Sequence, residues 1–248
     1  MKRLCVLLLA VVLMIGMCAC AKPEDIVKVD DSTVNVSDNR SNYDKAVSFV
    51  ERSIDVSKMS VSTQDESDGQ DLYCAWMVDG EQPAAEIGKE VTLDGQKLVL
   101  GTTLLKEAKD MGFTCEIPAE TIETDTVYGF TLNKGTKWIN ADIDNHTGSD
   151  QKADDLAITG LNLIAGDNEL TAEAMPFDYY GIKSGTSFED ILKILGDPNS
   201  GVSLSTGSTG CSIELNYFAD NTSLSVFLRY DPAADVATLG SINLSISE

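Results

Sequence analysis

Residues 185–196 have the sequence GTSFEDILKILG, which predicts a helix with a defined beginning and a defined end. Its apolar residues recur at i, i+3, i+4 and i+7, a spacing that puts them on one helix face. They are Phe188, Ile191, Leu192 and Leu195. Thr186 or Ser187 can cap the N-terminus, and Gly196 can adopt the left-handed conformation that closes the helix. Because Pro198 cannot continue a helix, the stretch predicts one short helix packed on a core.

Three segments after this helix alternate apolar and polar residues with the period of a β-strand. They are residues 212–217, 223–230 and 241–247. Such alternation gives each strand one buried side and one solvent-facing side, which is typical of an antiparallel sheet covered on one face. We therefore expect an α+β fold in which short helices pack on one face of an antiparallel sheet. Upstream, Asp94 and Gly95 separate two apolar runs and predict a hairpin turn.

The same plan occurs earlier in the chain as an internal repeat. Residues 101–112, GTTLLKEAKDMG, align without gaps to residues 185–196 at an offset of 84. Two further matches follow in the same order, at offsets of 80 and 81. They are ADDLA (153–157) with AADVA (233–237), and Asn162-Leu163 with Asn243-Leu244. The repeat predicts two tandem helix-plus-sheet units, at residues 71–168 and 169–248.

The N-terminus has the pattern of a secretory signal. Lys2 and Arg3 precede an apolar run of 14 residues, which is short for a membrane span of about 20 residues. The run ends in Met17-Cys18-Ala19-Cys20, which resembles a bacterial lipobox because the small Ala19 precedes Cys20. We expect residues 1–19 to be a cleaved signal peptide and Cys20 to carry the lipid. The body then lies at the extracytoplasmic face of the cell membrane, held by this lipid.

Residues 20–70 are expected to form a polar tether that contains one short amphipathic helix. The apolar residues of this helix follow helical spacing. They are Tyr43, Ala46, Val47, Val50 and Ile54. Asn42 stands where it could cap the helix. We expect the apolar stripe to pack on the body, with the docking of a partner as the alternative.

Charge and composition exclude several classes of function. The chain has 18 Lys and Arg residues and 40 Asp and Glu residues, for a net charge of −22. A chain this acidic lacks the cations that bind nucleic-acid phosphates, and anionic lipid headgroups should repel it. We therefore expect membrane contact through the N-terminal lipid only. Cys74, Cys115 and Cys211 allow at most one disulfide in the body, and the sequence does not select the pair.

Residues 142–150 contain the only histidine, His146, among Asp, Asn and Ser residues. A His–Ser–Asp triad could be drawn from them, but no nucleophile-elbow sequence accompanies it. A calcium loop is a second possibility. However, Gly148 lies one place too late for an EF-hand counted from Asp142. We predict a solvated loop, and we expect neither enzymatic activity nor a cofactor nor a metal.

The solvent-facing side of the sheet is the better candidate for a site. Trp138 and Asn140 alternate with the apolar Ile139 and Ala141 and therefore point outward. Phe227 and Arg229 point outward in the second unit by the same argument. Exposed Trp, Phe and Arg side chains are typical anchors of protein interfaces. The alternative is that these side chains pack between the two units or under the N-terminal helix.

The lipobox, the helix motif and the following strands together resemble the small outer-membrane assembly lipoprotein (SmpA/OmlA) domain. The tandem arrangement is similar to the β-lactamase inhibitor protein family, which has two such units side by side. The residues that carry the resemblance are Gly185, Thr186, Ser187, Glu189, Asp190, Ile191, Leu195, Gly196 and Pro198. The first repeat matches less well, since Gly112 is followed by Phe and Thr and not by a proline two places on. The resemblance implies a binding or scaffold role and assigns no active site.

These observations favour a lipid-anchored binding protein of the cell envelope. We expect it to engage an envelope or extracellular protein through Trp138, Asn140, Phe227 and Arg229. The alternative is a surface receptor for a small molecule or a carbohydrate. A sugar would stack on Trp138, with Asn140 and Asp142 beside it.

Overall fold

The computed structural model describes residues 36–65, 72–80, 87–117, 120–165, 173–207 and 210–247. The predicted signal peptide and Cys20 lie outside these ranges. The helices are α1 (Val36–Ser53), α2 (Leu105–Asp110) and α3 (Phe188–Leu195). The strands are β1 (Met59–Asp65), β2 (Leu72–Val78), β3 (Glu90–Leu93), β4 (Gln96–Val99), β5 (Thr114–Cys115), β6 (Thr121–Ile122), β7 (Thr126–Lys134), β8 (Lys137–Asn145), β9 (Gln151–Lys152), β10 (Ile158–Ile164), β11 (Phe177–Asp178), β12 (Gly201–Gly207), β13 (Gly210–Ala219), β14 (Thr222–Asp231) and β15 (Val236–Ile246).

Ten of these strands form one antiparallel sheet in the order β1-β2-β12-β13-β14-β15-β10-β8-β7-β5. A smaller sheet has the order β11-β3-β4, and β6 pairs with β9. The described part of the chain is thus mostly antiparallel sheet with few helices. Ser37–Glu248 make up one compact unit. In the described residues, no helix has both the length and the apolar character needed to cross a membrane.

Helix α3 confirms the motif that predicted it. Its first residue is Phe188, and the hydroxyl of Ser187 caps it by accepting a hydrogen bond from the Asp190 N–H at 3.2 Å. Gly196 ends the helix with φ 76°, a conformation that favours glycine. Phe188 and Ile191 are fully buried, so the predicted apolar face does lie on the core.

The predicted hairpin turn is also confirmed. Strands β3 and β4 are joined by Asp94 and Gly95, whose φ angles are 45° and 77°. Two positive φ angles in succession define the mirror-image turn whose twist matches that of paired strands. The turn thereby sets the register that opposes Leu93 to Gln96.

The region before residue 70 differs from the expectation. Helix α1 already begins at Val36, so Asn42 lies inside it and the predicted cap is wrong. The buried face of α1 includes Phe49 beside the predicted Ala46 and Val50. Residues 59–65, expected in a polar tether, form β1 in unbroken antiparallel register with β2. Strand β1 lies at the edge of the sheet. An edge strand needs few apolar residues, which explains the polar sequence of β1.

All three cysteines of the body are free thiols. Cys74 and Cys211 are buried on the core side of the sheet, and Cys115 is half-buried. Burial raises the pKa of each of these thiols, which keeps them protonated. They therefore behave as small core residues and do not form a disulfide framework.

Helix α1 is fixed to the sheet by an aromatic cluster and a charged contact. The ring of Phe49 lies 5.0 Å from the ring of Phe188 and 5.0 Å from that of Tyr230. At the edge of this cluster Arg52 pairs with Asp235, which also accepts a hydrogen bond from the Tyr230 hydroxyl at 2.7 Å. Arg52 and then Tyr230 hold the pKa of the Asp235 carboxyl below its ordinary value.

This contact predicts an acid-sensitive attachment of α1. A carboxylate with a lowered folded-state pKa stabilises above its unfolded pKa of about 3.9, and the contribution is lost as the pH falls through the folded pKa. Lowering the pH from 6 to 3 should reduce hydrogen-exchange protection of residues 45–52 by about twofold to fivefold, as expected for an exposed ion pair. In Asp235→Asn this extra pH dependence should be absent. An equal pH response in both proteins would contradict the role of the Asp235 contact.

Candidate binding face

The side of the ten-stranded sheet that points away from the buried residues is called the outer face here. On β8, Ile139, Ala141 and Ile143 are at most 1% exposed, and they define the covered side. The residues that alternate with them therefore lie on the outer face. In chain order they are Trp138, Asn140, Asp142 and Asp144. This column combines one aromatic ring, one amide and two carboxylates.

A row of uncharged polar residues crosses the outer face at right angles to the strands. Its members oppose one another on six neighbouring strands, β7, β8, β10, β15, β14 and β13. They are Thr131, Asn140, Asn162, Asn243, Ser225 and Asn216. Five strand spacings of about 4.8 Å make this amide row about 24 Å long. Within it the Ser225 hydroxyl donates to Asn216 Oδ1 at 2.7 Å.

The structure places the four predicted partner-binding residues on the outer face, in two separate patches. Asn140 and Arg229 are exposed, whereas Trp138 and Phe227 are half-buried. Strands β15 and β10 lie between β14 and β8. The two patches are therefore about 14 Å apart. Alternation alone predicts a direction for each side chain but not this separation.

The outer face carries further apolar side chains, of which alternation in the sequence indicates only Phe218. Met77 on β2 is 52% exposed and Phe218 on β13 is 50% exposed. Val127 on β7 is 62% exposed, at the opposite end of the sheet. Tyr73 also reaches solvent, whereas Trp76 on the same strand is fully buried. The apolar residues at every position of 72–78 predict a strand buried on both sides, and this prediction is wrong because Tyr73 and Met77 on the outer side reach solvent.

Asp142 lies on the outer face between two glycines of the flanking strands. Its neighbours across the strands are Gly129 on β7 and Gly160 on β10. A Cβ atom at position 129 would lie 3.1 Å from Asp142 Oδ1, and a Cβ atom at position 160 would overlap Asp142 Oδ2. The carboxylate thus lies over both glycines, where a larger residue would leave no space.

The Asp142 carboxylate receives no hydrogen bond and no ion pair from the described residues. It is half-buried, and burial raises its pKa. For a carboxyl group a raised folded-state pKa means that ionisation costs stability at neutral pH, and the cost disappears as the pH falls through that pKa. The sequence shows that Gly129 and Gly160 lie within strands. It does not show that they flank Asp142, because that depends on strand register.

The end of the same column holds a second acidic group. Asp144, whose side chain is 7% exposed, has Oδ2 2.9 Å from His146 Nε2, while its buried Oδ1 has no hydrogen-bond partner among the described residues. His146 Nδ1 lies 3.6 Å from Asp125 Oδ1. The Ser149 hydroxyl instead accepts from Gln151 Nε2 at 3.0 Å. The hypothetical triad is therefore not assembled, since Ser149 is engaged elsewhere.

No set of three or more His, Cys, Asp or Glu side chains within the described ranges is arranged to hold a metal ion. No family model, no curated protein and no solved structure matches the chain. The interpretation of the outer face as a binding site therefore depends on the geometry and charge of that face.

Proposed function

We propose that this chain is a non-enzymatic lipoprotein, anchored through Cys20 at the extracytoplasmic face of the membrane, that binds another protein through the outer face. The observation that carries the proposal is the asymmetry of the ten-stranded sheet. Buried residues line one face, and the other presents the amide row between half-buried and exposed aromatic side chains. A row about 24 Å long across six strands has the breadth of a protein interface.

We further propose that the body consists of two tandem units whose sheets meet at the pairing of β10 with β15, called the seam here, although β2 of the first unit pairs with β12 of the second and β11 of the second with β3 of the first. The sheet order supports this, because β12-β13-β14-β15 and β5-β7-β8-β10 run toward each other and their last strands pair. Asn162 and Asn243, equivalent in the repeat, oppose each other across this seam. Such self-pairing of equivalent residues is the mark of a local two-fold axis.

The helix caps support the same equivalence. Leu104, which precedes α2, bridges to Ala157, and Ser187, which precedes α3, bridges to Thr238. These bridges relate the helices by an offset of 83, one less than the ungapped sequence alignment. The shift aligns buried Leu105 with buried Phe188, so the repeat matches in packing better than in sequence.

Carbohydrate binding is the second candidate, and the amide row favours it. Asparagine amides both donate and accept, as sugar hydroxyls require, and Trp138 lies two residues from Asn140 on the same strand face. A protein partner and a carbohydrate ligand differ in the charge that they bring to this face. A neutral sugar makes no use of the net charge of −22, whereas a basic protein surface is attracted by it.

A cross-linked pull-down tests the proposal. The full-length chain in detergent is exposed to envelope extract beside a Trp138→Ala/Phe227→Ala double variant. Ile194→Ala is the matched control, because Ile194 is an exposed apolar residue of α3 and not of the outer face. We expect one partner to be captured by the parent and the control, and captured at least about tenfold less by the double variant. Equal capture by all three proteins would place the interface elsewhere.

If no protein is captured, a glycan array distinguishes the second candidate. Binding of a neutral oligosaccharide that is lost in Asn140→Ala would replace the proposed protein partner by a sugar. Circular dichroism of each variant checks that its fold is intact.

A further inference from the structure

We propose that the free edge of β1 binds an extended segment of a second protein, which adds one more antiparallel strand to the sheet and carries basic residues at its ends. This inference goes beyond the proposed function, because it concerns the end of the sheet and not Trp138 or Phe227. The backbone groups of Val61 and Thr63 form the site, which we call the β1 edge.

The direction of these backbone groups follows from the pairing of β1 with β2. At the start of the ladder, the Asp79 N–H donates to the Lys58 carbonyl oxygen at 3.4 Å. In an antiparallel pair every second residue directs its N–H and C=O groups to the partner strand. Counting from Lys58, Val61 and Thr63 direct theirs away from β2. They therefore present four backbone groups that pair with no other described residue.

Strand β1 lacks the features by which proteins usually protect an edge strand. Such features are a very short strand, a bulge, a proline or a lysine. Strand β1 has seven residues, MSVSTQD, without proline or lysine, and its register with β2 is unbroken. At the opposite end of the sheet the last strand, β5, has two residues. The β1 edge is therefore open to the addition of a strand.

Exposed apolar side chains lie beside the β1 edge on both sides of the sheet. Val61 is opposite the buried Trp76, hence on the core side, yet it is 58% exposed. Tyr73 and Met77 of β2 are exposed on the outer face. Of the eight large apolar side chains that are exposed in the described residues, these two strands hold three, so apolar exposure is concentrated here. Because an added strand alternates its side chains, one can cover Val61 while the next reaches across the small Ser60 to Met77.

Carboxylates lie near both ends of the β1 edge. The Asp79 carboxylate accepts a hydrogen bond from the Ser60 hydroxyl at 2.9 Å, next to the beginning of the edge. Glu51 of α1 lies near Cys74, which is the residue opposite Thr63. Burial raises the pKa of the Cys74 thiol, and the charge of Glu51 raises it further. A bound segment with a basic residue at each end would therefore meet an opposite charge at both.

A basic segment fits these charges better than a second copy of the chain. Lys58, the base that precedes β1, is offset by Asp55, three residues before it. The chain as a whole carries −22, so two copies repel each other, whereas a basic segment is attracted.

Hydrogen exchange of single amides, measured by nuclear magnetic resonance on the full-length chain in detergent, tests the inference. The probe is the peptide acetyl-KTVLVTK-amide, which has apolar side chains on both faces and a lysine at each end. At saturation we expect exchange of the Val61 and Thr63 amides to slow by about tenfold or more, because both become hydrogen-bonded. The Ser60 and Ser62 amides, which already bond to β2, should not change.

Two modified peptides separate strand pairing from non-specific apolar or charged contact. N-methylation of both valines removes the N–H groups that would face β1 and keeps every side chain, so this peptide should give no protection. Replacement of both lysines by glutamate should weaken binding by about tenfold.

Thr63→Pro removes one hydrogen-bond donor of the β1 edge. Because the Thr63 N–H points away from β2, proline at this edge position leaves the pairing of β1 with β2 in place. Affinity for the peptide should fall by about tenfold or more. Thr63→Val is the matched control, since it keeps the N–H and should bind as the parent does. Slow exchange of the Ser60 and Ser62 amides in both variants checks that β1 is still paired.

Equal protection by the N-methylated peptide, undiminished binding to Thr63→Pro, or no protection by the basic peptide would each overturn the inference. Protection of the Val61 and Thr63 amides without peptide would overturn it as well. If that protection rises with protein concentration, a second copy covers the edge, and if it does not, another segment of the same chain does.

The Trp138→Ala/Phe227→Ala variant should bind the peptide as the parent does, because neither residue lies on β1 or β2. Failure of the pull-down therefore leaves the β1 edge standing, and failure of the peptide leaves the proposed interface on the outer face standing.

Discussion

Phe188→Ala should lower the free energy of unfolding by about 4 kcal/mol. The Phe188 side chain is 1% exposed and meets the ring of Phe49 in an edge-to-face arrangement. Its removal leaves a cavity where α1, α3 and Tyr230 on β14 come together, since Phe49 also contacts Tyr230. Urea unfolding followed by circular dichroism measures the loss. We also expect faster hydrogen exchange in α1, because α1 loses the ring that holds Phe49.

Leu105→Ala is the matched control for this prediction. Leu105 has the corresponding place at the start of α2 and is fully buried. Its loss should cost about 2–5 kcal/mol. Helix α2 packs on the core through Leu105 and Ala108 and forms ion pairs with the turn at 153–155, Lys106 with Asp155 at 2.8 Å and Lys109 with Asp154. Exchange in α1 should therefore remain slow in Leu105→Ala under native conditions. If α1 responds equally to both substitutions, Phe188 is not its specific anchor.

Local sequence signals predicted the elements whose causes are local. The cap at Ser187, the closing Gly196 and the Asp94-Gly95 turn each act within a few residues, so the pattern carries the whole explanation. The alternation of β13 to β15 likewise predicted which residues are buried. The beginning of α1 was missed because the polar residues before Asn42 have no apolar period, although they continue the helix.

The order of the strands could not be predicted in this way. Strand β2 pairs with β12, more than a hundred residues later in the chain, and β10 pairs with β15. Periodicity gives each strand a buried side but says nothing about its neighbour, because pairing is decided by the packing of the whole core.

Because periodicity does not predict strand order, the sequence also could not predict how the residues of the candidate site are arranged. Alternation placed Trp138, Asn140, Phe227 and Arg229 on the outer face, yet strand order separates them into two patches. The position of Asp142 between Gly129 and Gly160 depends on register across three strands, because a shift of one residue would bring another side chain beside the carboxylate. A single sequence contains the glycines but not their alignment.

Leu163→Pro should break the seam between the two proposed units. Strand β10 lies between β8 and β15, so its backbone N–H groups pair on both sides. Proline removes one of these donors and leaves a buried carbonyl group without its hydrogen bond, at a cost of about 1–3 kcal/mol. Leu163 is also fully buried and opposes Ile242 on β15. We expect the single unfolding transition of the parent to become two. Hydrogen exchange should then show β7 and β8 opening separately from β13 and β14.

Leu163→Ala separates the loss of the side chain from the loss of the strand pairing. It should lower stability by about 2–5 kcal/mol but keep one transition, because the backbone of β10 can still pair with β15. Two transitions in Leu163→Pro alone would support units that hold together mainly by the β10–β15 seam. If both variants lose all strands together, the ten strands form one undivided cooperative sheet. The resemblance between residues 101–112 and 185–196 would then reflect two similar helices on one sheet, and the proposal of two tandem units would fall.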